Sequence, residues 1–187
     1  MRTISFLLFI ILLAGAAIFF TQQRWHLKNK HWEATPAING QLRTLGDSAF
    51  RNADAPVASL LLYSGNVIGT GYNTVRKNTK AGEHAEINAI SNAMARVGLD
   101  SFIHLNRDSL LLITTWEPCL MCRGAITEYN IQHVVVMRTK SLHHWMREWK
   151  KILKYEWNKQ TTQNDTLQEN LFRQSPMYDA QKMKDNY

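Results

Sequence analysis

The chain has 187 residues, 45% of them hydrophobic, with 22 lysines and arginines against 15 acidic residues for a formal charge of +7. That length supports one compact domain and a short extra segment, not two full domains. The cationic excess favours partners bearing phosphate or anionic lipid headgroups, and says nothing of fold. Cys119 and Cys122 are the only cysteines; one C-x-x-C excludes a disulfide scaffold and leaves a metal site or a redox pair.

Residues 4–20 are almost unbroken hydrocarbon, with Arg2 before them and Arg24, Lys28 and Lys30 after them. Seventeen residues is short for a span, for which about 20 is usual. The expectation is a transmembrane signal-anchor within residues 1–22, followed by a basic linker over 23–36. The alternative is a signal peptide cleaved at Ala14-Gly15-Ala16, with export of the rest. The basic cluster behind the span places the remaining chain in the cytosol, as a single-pass membrane protein.

A globular domain is expected over 37–158 and a tail over 159–187. Ile38, Leu42, Leu45, Ala49 and Phe50 recur at helical spacing and predict a helix over 38–52, stopped before Pro56. Val57 to Tyr63 and Val67 to Tyr72 predict a hairpin closed by Ser64-Gly65-Asn66. Asn73 to Glu83 reads as a loop. A helix is expected from His84 to Val97, ended by Gly98. Leu110 to Thr115 and His133 to Met137 read as strands. Pro118 opens a helix between them, over 119–129. Residues 141–157 predict a helix with Leu142, Trp145, Met146, Trp149 and Ile152 as its apolar stripe, read as core-facing, with a contact surface between subunits as the alternative. Residues 158–175 read as loop, and a last short helix is expected over 176–186. Strand and helix alternate in the later half, so the fold class is α/β: a three-layer α/β/α domain around a mixed sheet.

Two cysteines three apart at a helix start face the same way, and helix N-termini favour thiolate, the form that binds metal. His84 begins another helix. Zn²⁺ takes sulfur and imidazole ligands; three protein ligands leave the coordination position that catalytic sites use, whereas four close a structural site. His84, Cys119 and Cys122 make three, so the implied cofactor is Zn²⁺. A structural site needs one ligand more, and His104, His133, His143 or His144 are the candidates. Glu86, two residues past His84, supplies a carboxylate that moves protons beside the metal. Displacing an amino group from an aromatic ring requires that, and H-x-E with P-C-x-x-C is the arrangement of zinc nucleobase deaminases.

Three stretches carry a resemblance: Val67-Ile68-Gly69-Thr70-Gly71-Tyr72-Asn73, His84-Ala85-Glu86-Ile87, and Glu117-Pro118-Cys119-Leu120-Met121-Cys122-Arg123-Gly124-Ala125-Ile126. Over about residues 38–140 the chain resembles the cytidine deaminase-like superfamily, nearest to its branch of tRNA adenosine, guanine and fungal-type cytosine deaminases. The resemblance implies zinc on His84, Cys119 and Cys122, and Glu86 as proton shuttle. It also implies base recognition by Asn73, a substrate frame near the Cys119 N–H and Glu117, and a homodimer. Trp116, before the turn, is a candidate pocket wall and equally a candidate core residue; Asn73 has the alternative of capping its own turn. Lys80-Ala81-Gly82-Glu83 stands where the family often has Asp-Pro or Asn-Pro before the histidine, so the resemblance does not name the base.

Three functions are in play. One is hydrolytic deamination of a free base, nucleoside or nucleotide. Another is adenosine-to-inosine deamination of tRNA, approached through Arg76, Lys77, Lys80, Arg138, Lys140, Arg147 and Lys151. The third is a non-catalytic zinc module that binds a partner at the membrane, against which Glu86 argues.

Overall fold

The computed structural model describes residues 10–19, 21–22, 33–160 and 166–174, and among these residues 10–19 and 21–22 are helical (α1). The single-pass membrane reading is corrected here. Among the described residues no helix is long and apolar enough to cross a membrane. Residues 4–9 and 20 of the expected span, and the helix expected over 176–186, lie outside the described residues.

The chain forms two compact units, residues 1–140 and 141–187. In the first unit Thr35 starts α2, Pro36–Arg51, by accepting a hydrogen bond from the Ile38 N–H at 3.3 Å, and Pro36 occupies the first turn. A hairpin follows: β1, Ala58–Tyr63, and β2, Asn66–Tyr72, pair antiparallel with a bulge opposite Leu61/Leu62. After the short α3, Val75–Asn78, comes α4, Ala85–Val97. Gly98 ends α4 at φ +85°, a left-sided conformation that suits glycine. α5, Leu99–Ile103, and a 3₁₀ turn, Arg107–Ser109, lead into β3, Leu110–Thr114. α6, Leu120–Glu128, crosses to β4, His133–Val136. The sheet order is β2-β1-β3-β4, with β1 antiparallel to both neighbours and β3 parallel to β4.

The sheet is apolar on both faces because both are covered. On one face Leu61, Leu110 and Leu112 pack with Ala89, Ile90 and Ala93 of α4, Phe102 of α5 and Ile126 of α6. On the other, Leu60, Leu62 and Ile113 pack with Leu42 of α2. This is the expected mixed α/β layering. α4 approaches β2 at backbone distance. A Cβ built on Gly71 would lie 2.1 Å from the Ala85 carbonyl oxygen, and one on Gly69 2.1 Å from that of Ala89. Ala85, Ala89 and Ala93, fully buried and four residues apart, are the facing ridge.

The expected elements recur with ends shifted by one or two residues. The segment 73–83 contains α3 rather than being all loop, and 158–175, read as loop, holds α8, Thr166–Gln174. In the second unit Ser141 caps α7, Leu142–Asn158, by accepting from the His144 N–H at 3.3 Å. Its apolar stripe is open rather than core-facing along part of its length: Leu142, Met146 and Trp149 are exposed, and Trp145 and Ile152 half-buried.

Gly71→Ala forces an overpacked contact between β2 and α4, and should lower unfolding free energy by about 2–3 kcal/mol. Gly82→Ala, whose added carbon meets nothing within 4 Å, should not lower it. Urea denaturation of the two variants checks this.

Candidate metal centre

Three segments converge at the end of the sheet where β2 and β3 stop and β1 begins. The Asn73 N–H donates to the Val57 carbonyl at 3.1 Å, and the Thr115 N–H to that of Ala58 at 3.0 Å. His84 is the N-cap of α4, and Cys119 the N-cap of α6; neither side chain caps its own helix. An N-cap has extended backbone, so its side chain is free to turn toward a neighbour. Cys122, three residues on in the first turn of α6, lies on the same face as Cys119.

The Sγ atoms of Cys119 and Cys122 are 3.5 Å apart, and the His84 Nδ1 lies 3.6 and 3.5 Å from them. A tetrahedral zinc with ordinary Zn–S and Zn–N bonds separates two sulfurs by about 3.8 Å and a sulfur and nitrogen by about 3.6 Å. The donor set therefore fits zinc as it stands. Among the described residues the group that could hold a metal has these three members and no fourth; His104 instead places its Nδ1 2.6 Å from the Asp100 carbonyl oxygen.

The two thiols divide their proton unequally. The hydrogen bond from Cys122 brings the Cys119 thiol down from an ordinary 9.0 to about 5. Cys122, as donor and in a buried position, is pushed up. Glu86 is buried at 3% exposure in the first turn of α4. Its Oε1 accepts from the Thr114 hydroxyl at 3.3 Å, and its Oε2 lies 3.4 Å from the Cys122 Sγ. Burial raises its pKa.

An open cavity of about 410 Å³ has Asp54, Asn73, Val75, Arg76 and His84 among its walls. The Asn73 Oδ1 accepts from the Val75 N–H at 3.3 Å, so the residue does cap its turn. Its Nδ2 makes no hydrogen bond among the described residues. Trp116 is not among the cavity walls; its ring lies 5.3 Å from the Arg138 guanidinium carbon. Sequence reasoning missed three supports. Asp54 accepts from the N–H groups of Arg76 at 2.7 Å and Lys77 at 3.1 Å and so fixes the start of α3. Glu83, in the segment that departs from the family text, accepts from the Thr74 hydroxyl at 2.6 Å and from Asn78, and the Thr74 bond leads in holding its pKa low. Thr114 holds Glu86. Each is a polar residue at a loop or strand end with no spacing rule attached, so no signal marked it.

In the metal-free protein Cys119 should be the thiol that reacts with iodoacetamide. Its rate should rise with pH through about 5 and be level by neutral pH, since thiolate forms above the pKa. Cys122 should lag, and added zinc should protect both. Peptide mass mapping reads this; equal labelling of both thiols, still climbing toward pH 9, would refute the unequal pair.

The sequence pattern of the cytidine and deoxycytidylate deaminase zinc-binding region matches residues 41–138. The chain is 32% identical over 97 residues to tRNA-specific adenosine deaminase 2 of Xenopus laevis, covering 49% of this chain and 53% of that one. It is 34% identical over 89 residues to a tRNA-specific adenosine deaminase of Streptococcus pyogenes, covering 48% and 53%. It thus spans about half the length of the curated relatives it matches. Guanine deaminase of Bacillus subtilis shares its fold, with a TM-score of 0.55 at 22% identity over 75% of this chain and 98% of that one. By its matched segment and the centre that segment builds, the chain belongs to the family of the cytidine and deoxycytidylate deaminase zinc-binding region.

Proposed function

We propose that the chain is a zinc-dependent hydrolytic deaminase of a nucleobase-containing substrate, taken as free base, nucleoside or nucleotide, with release of ammonia. The observation that carries this is the buried carboxylate of Glu86 next to a three-member ligand set spaced for zinc. A purely structural zinc needs a fourth ligand and no carboxylate.

His84, Cys119 and Cys122 would hold the ion. Bound zinc supplies Lewis acidity that makes water a nucleophile near neutral pH. Glu86 takes the proton from the attacking water and delivers it to the ring nitrogen beside the carbon under attack. It then carries a proton to the departing amine, so that water and an amino-substituted ring become a carbonyl and ammonia. The Thr114 hydroxyl, shared between Glu86 Oε1 at 3.3 Å and the Trp116 carbonyl at 3.1 Å, lies against one carboxylate oxygen, and Cys122 lies against the other. Asn73 offers its Nδ2 to an acceptor on the base from the cavity wall that His84 shares. Trp116 is the second proposed substrate contact, resting on its place three residues before Cys119.

A second reading, adenosine-to-inosine deamination of tRNA, is favoured by the names of the relatives and by the +7 charge. It predicts a steep fall of binding with salt, which a free base does not show. Homodimer assembly is proposed on the resemblance alone, and a strict monomer in sedimentation of the full chain would overturn it.

The full chain is to be offered guanine, adenine, cytosine, their nucleosides and nucleotides, and tRNA, with ammonia measured. Glu86→Gln should keep its zinc and lose ammonia release by at least about 10²-fold on whichever substrate reacts. Undiminished release from the variant would remove Glu86 from the mechanism. Absence of release from the parent on every substrate would favour the non-catalytic zinc module.

A further inference from the structure

The loop from Trp116 to Cys119 carries one of the three ligands, and three charged side chains that the proposed chemistry does not use close around it. Glu117 is 8% exposed and Lys140 3%; the Arg123 side chain is 30% exposed. The Arg123 Nη2 donates to the Glu117 Oε1 at 2.6 Å, and the Lys140 main-chain N–H donates to the Glu117 Oε2 at 2.7 Å. The Arg123 Nε and the Lys140 Nζ then both donate to the Pro118 carbonyl, at 3.1 and 2.9 Å. The Glu117 N–H donates to the Arg138 carbonyl at 2.9 Å, tying the loop to the chain beyond β4.

Two physical points give this cluster a purpose. The Pro118 carbonyl lies in one rigid plane with the nitrogen and Cα of Cys119, so two cations gripping that oxygen fix the plane from which the Cys119 side chain leaves. Moreover, burying ions costs several kcal/mol each, and apolar side chains of similar volume usually serve stability as well or better. An ionic cluster kept here is better explained by what it positions than by what it stabilises.

We propose that Glu117, Arg123 and Lys140 form an ionic brace that sets the presentation of Cys119, and with it the coordination geometry and residence time of the metal on His84, Cys119 and Cys122. The three are positioning residues, and the inference rests on the metal reading of that triad. Residues that support metal ligands from behind are typically worth about 10- to 100-fold in metal affinity.

The test uses the full chain in two forms. Zinc-loaded protein is challenged with excess chelator and the release rate followed. Cobalt-loaded protein is examined by absorbance, where thiolate-to-cobalt charge transfer and the d–d bands report the ligand geometry. Lys140→Met and Arg123→Met should each release zinc about 10- to 100-fold faster and alter the cobalt bands, and Lys140→Arg should recover most of the loss. Leu42→Ala, in the core on the other face of the sheet, should lower the melting temperature yet leave release and spectrum as in the parent. If Lys140→Met does not fold, the more open Arg123→Met carries the test. Release rates and cobalt spectra equal to the parent's in the folded variants would overturn the brace. A parent that takes up neither ion would overturn the metal reading, and the brace with it.

Discussion

The direct contact of the α4 backbone with β2 is the constraint on which the site depends. It exists because Gly69 and Gly71 lack side chains and Ala85, Ala89 and Ala93 carry the smallest ones. With helix and strand at that distance, the first turn of α4 has one position available over the end of the sheet. His84 and Glu86 lie in that turn, and Asn73 follows directly from β2. Asn88 strengthens the joint from the polar side, donating through its Nδ2 to the Tyr72 carbonyl at 2.8 Å and to the Thr74 hydroxyl at 3.0 Å. The proposed ligand His84 and the proposed proton carrier Glu86 are therefore placed by packing.

The electrostatics of the centre point the same way. Glu86 is lifted by burial, and the negative Cys119 sulfur adds to that lift. Two sulfurs and a carboxylate so close together are poorly matched without a cation. In the metal-free protein burial and that charge disfavour ionisation of the glutamate, and Cys122 is likewise pushed toward its neutral thiol. A divalent ion takes over that neutralising role when the ligands give up their protons, so metal uptake is coupled to proton release.

Much of this was legible in the sequence, because the strongest signals were punctuation. Pro36, Ser64-Gly65-Asn66, Gly98 and Pro118 bounded elements that the structure places within one or two residues. The triad and Glu86 were found because metal ligands obey spacing rules. Three things escaped for identifiable reasons. The polar run 73–83 has no apolar period, so α3 was invisible; Asp54, twenty-two residues upstream of Arg76, caps it. The segment 158–175 was read from its glutamines, asparagines and threonines as loop, although Leu167 and Leu171 stand at helical spacing within α8. The apolar residues near the N-terminus suggested a bilayer span from composition alone, and no helix among the described residues is long and apolar enough to be one.

The cavity draws its walls from the segments 53–55 and 73–76 together with His84. Apart from that imidazole, these walls lie outside the strands and outside α4. Under the proposed function, choice of substrate and possession of the reactive centre would thus be carried by separable parts of the chain. On that reading, exchange of residues 53–55 and 75–76 offers a means to redesign selectivity while β2 and α4 stay untouched.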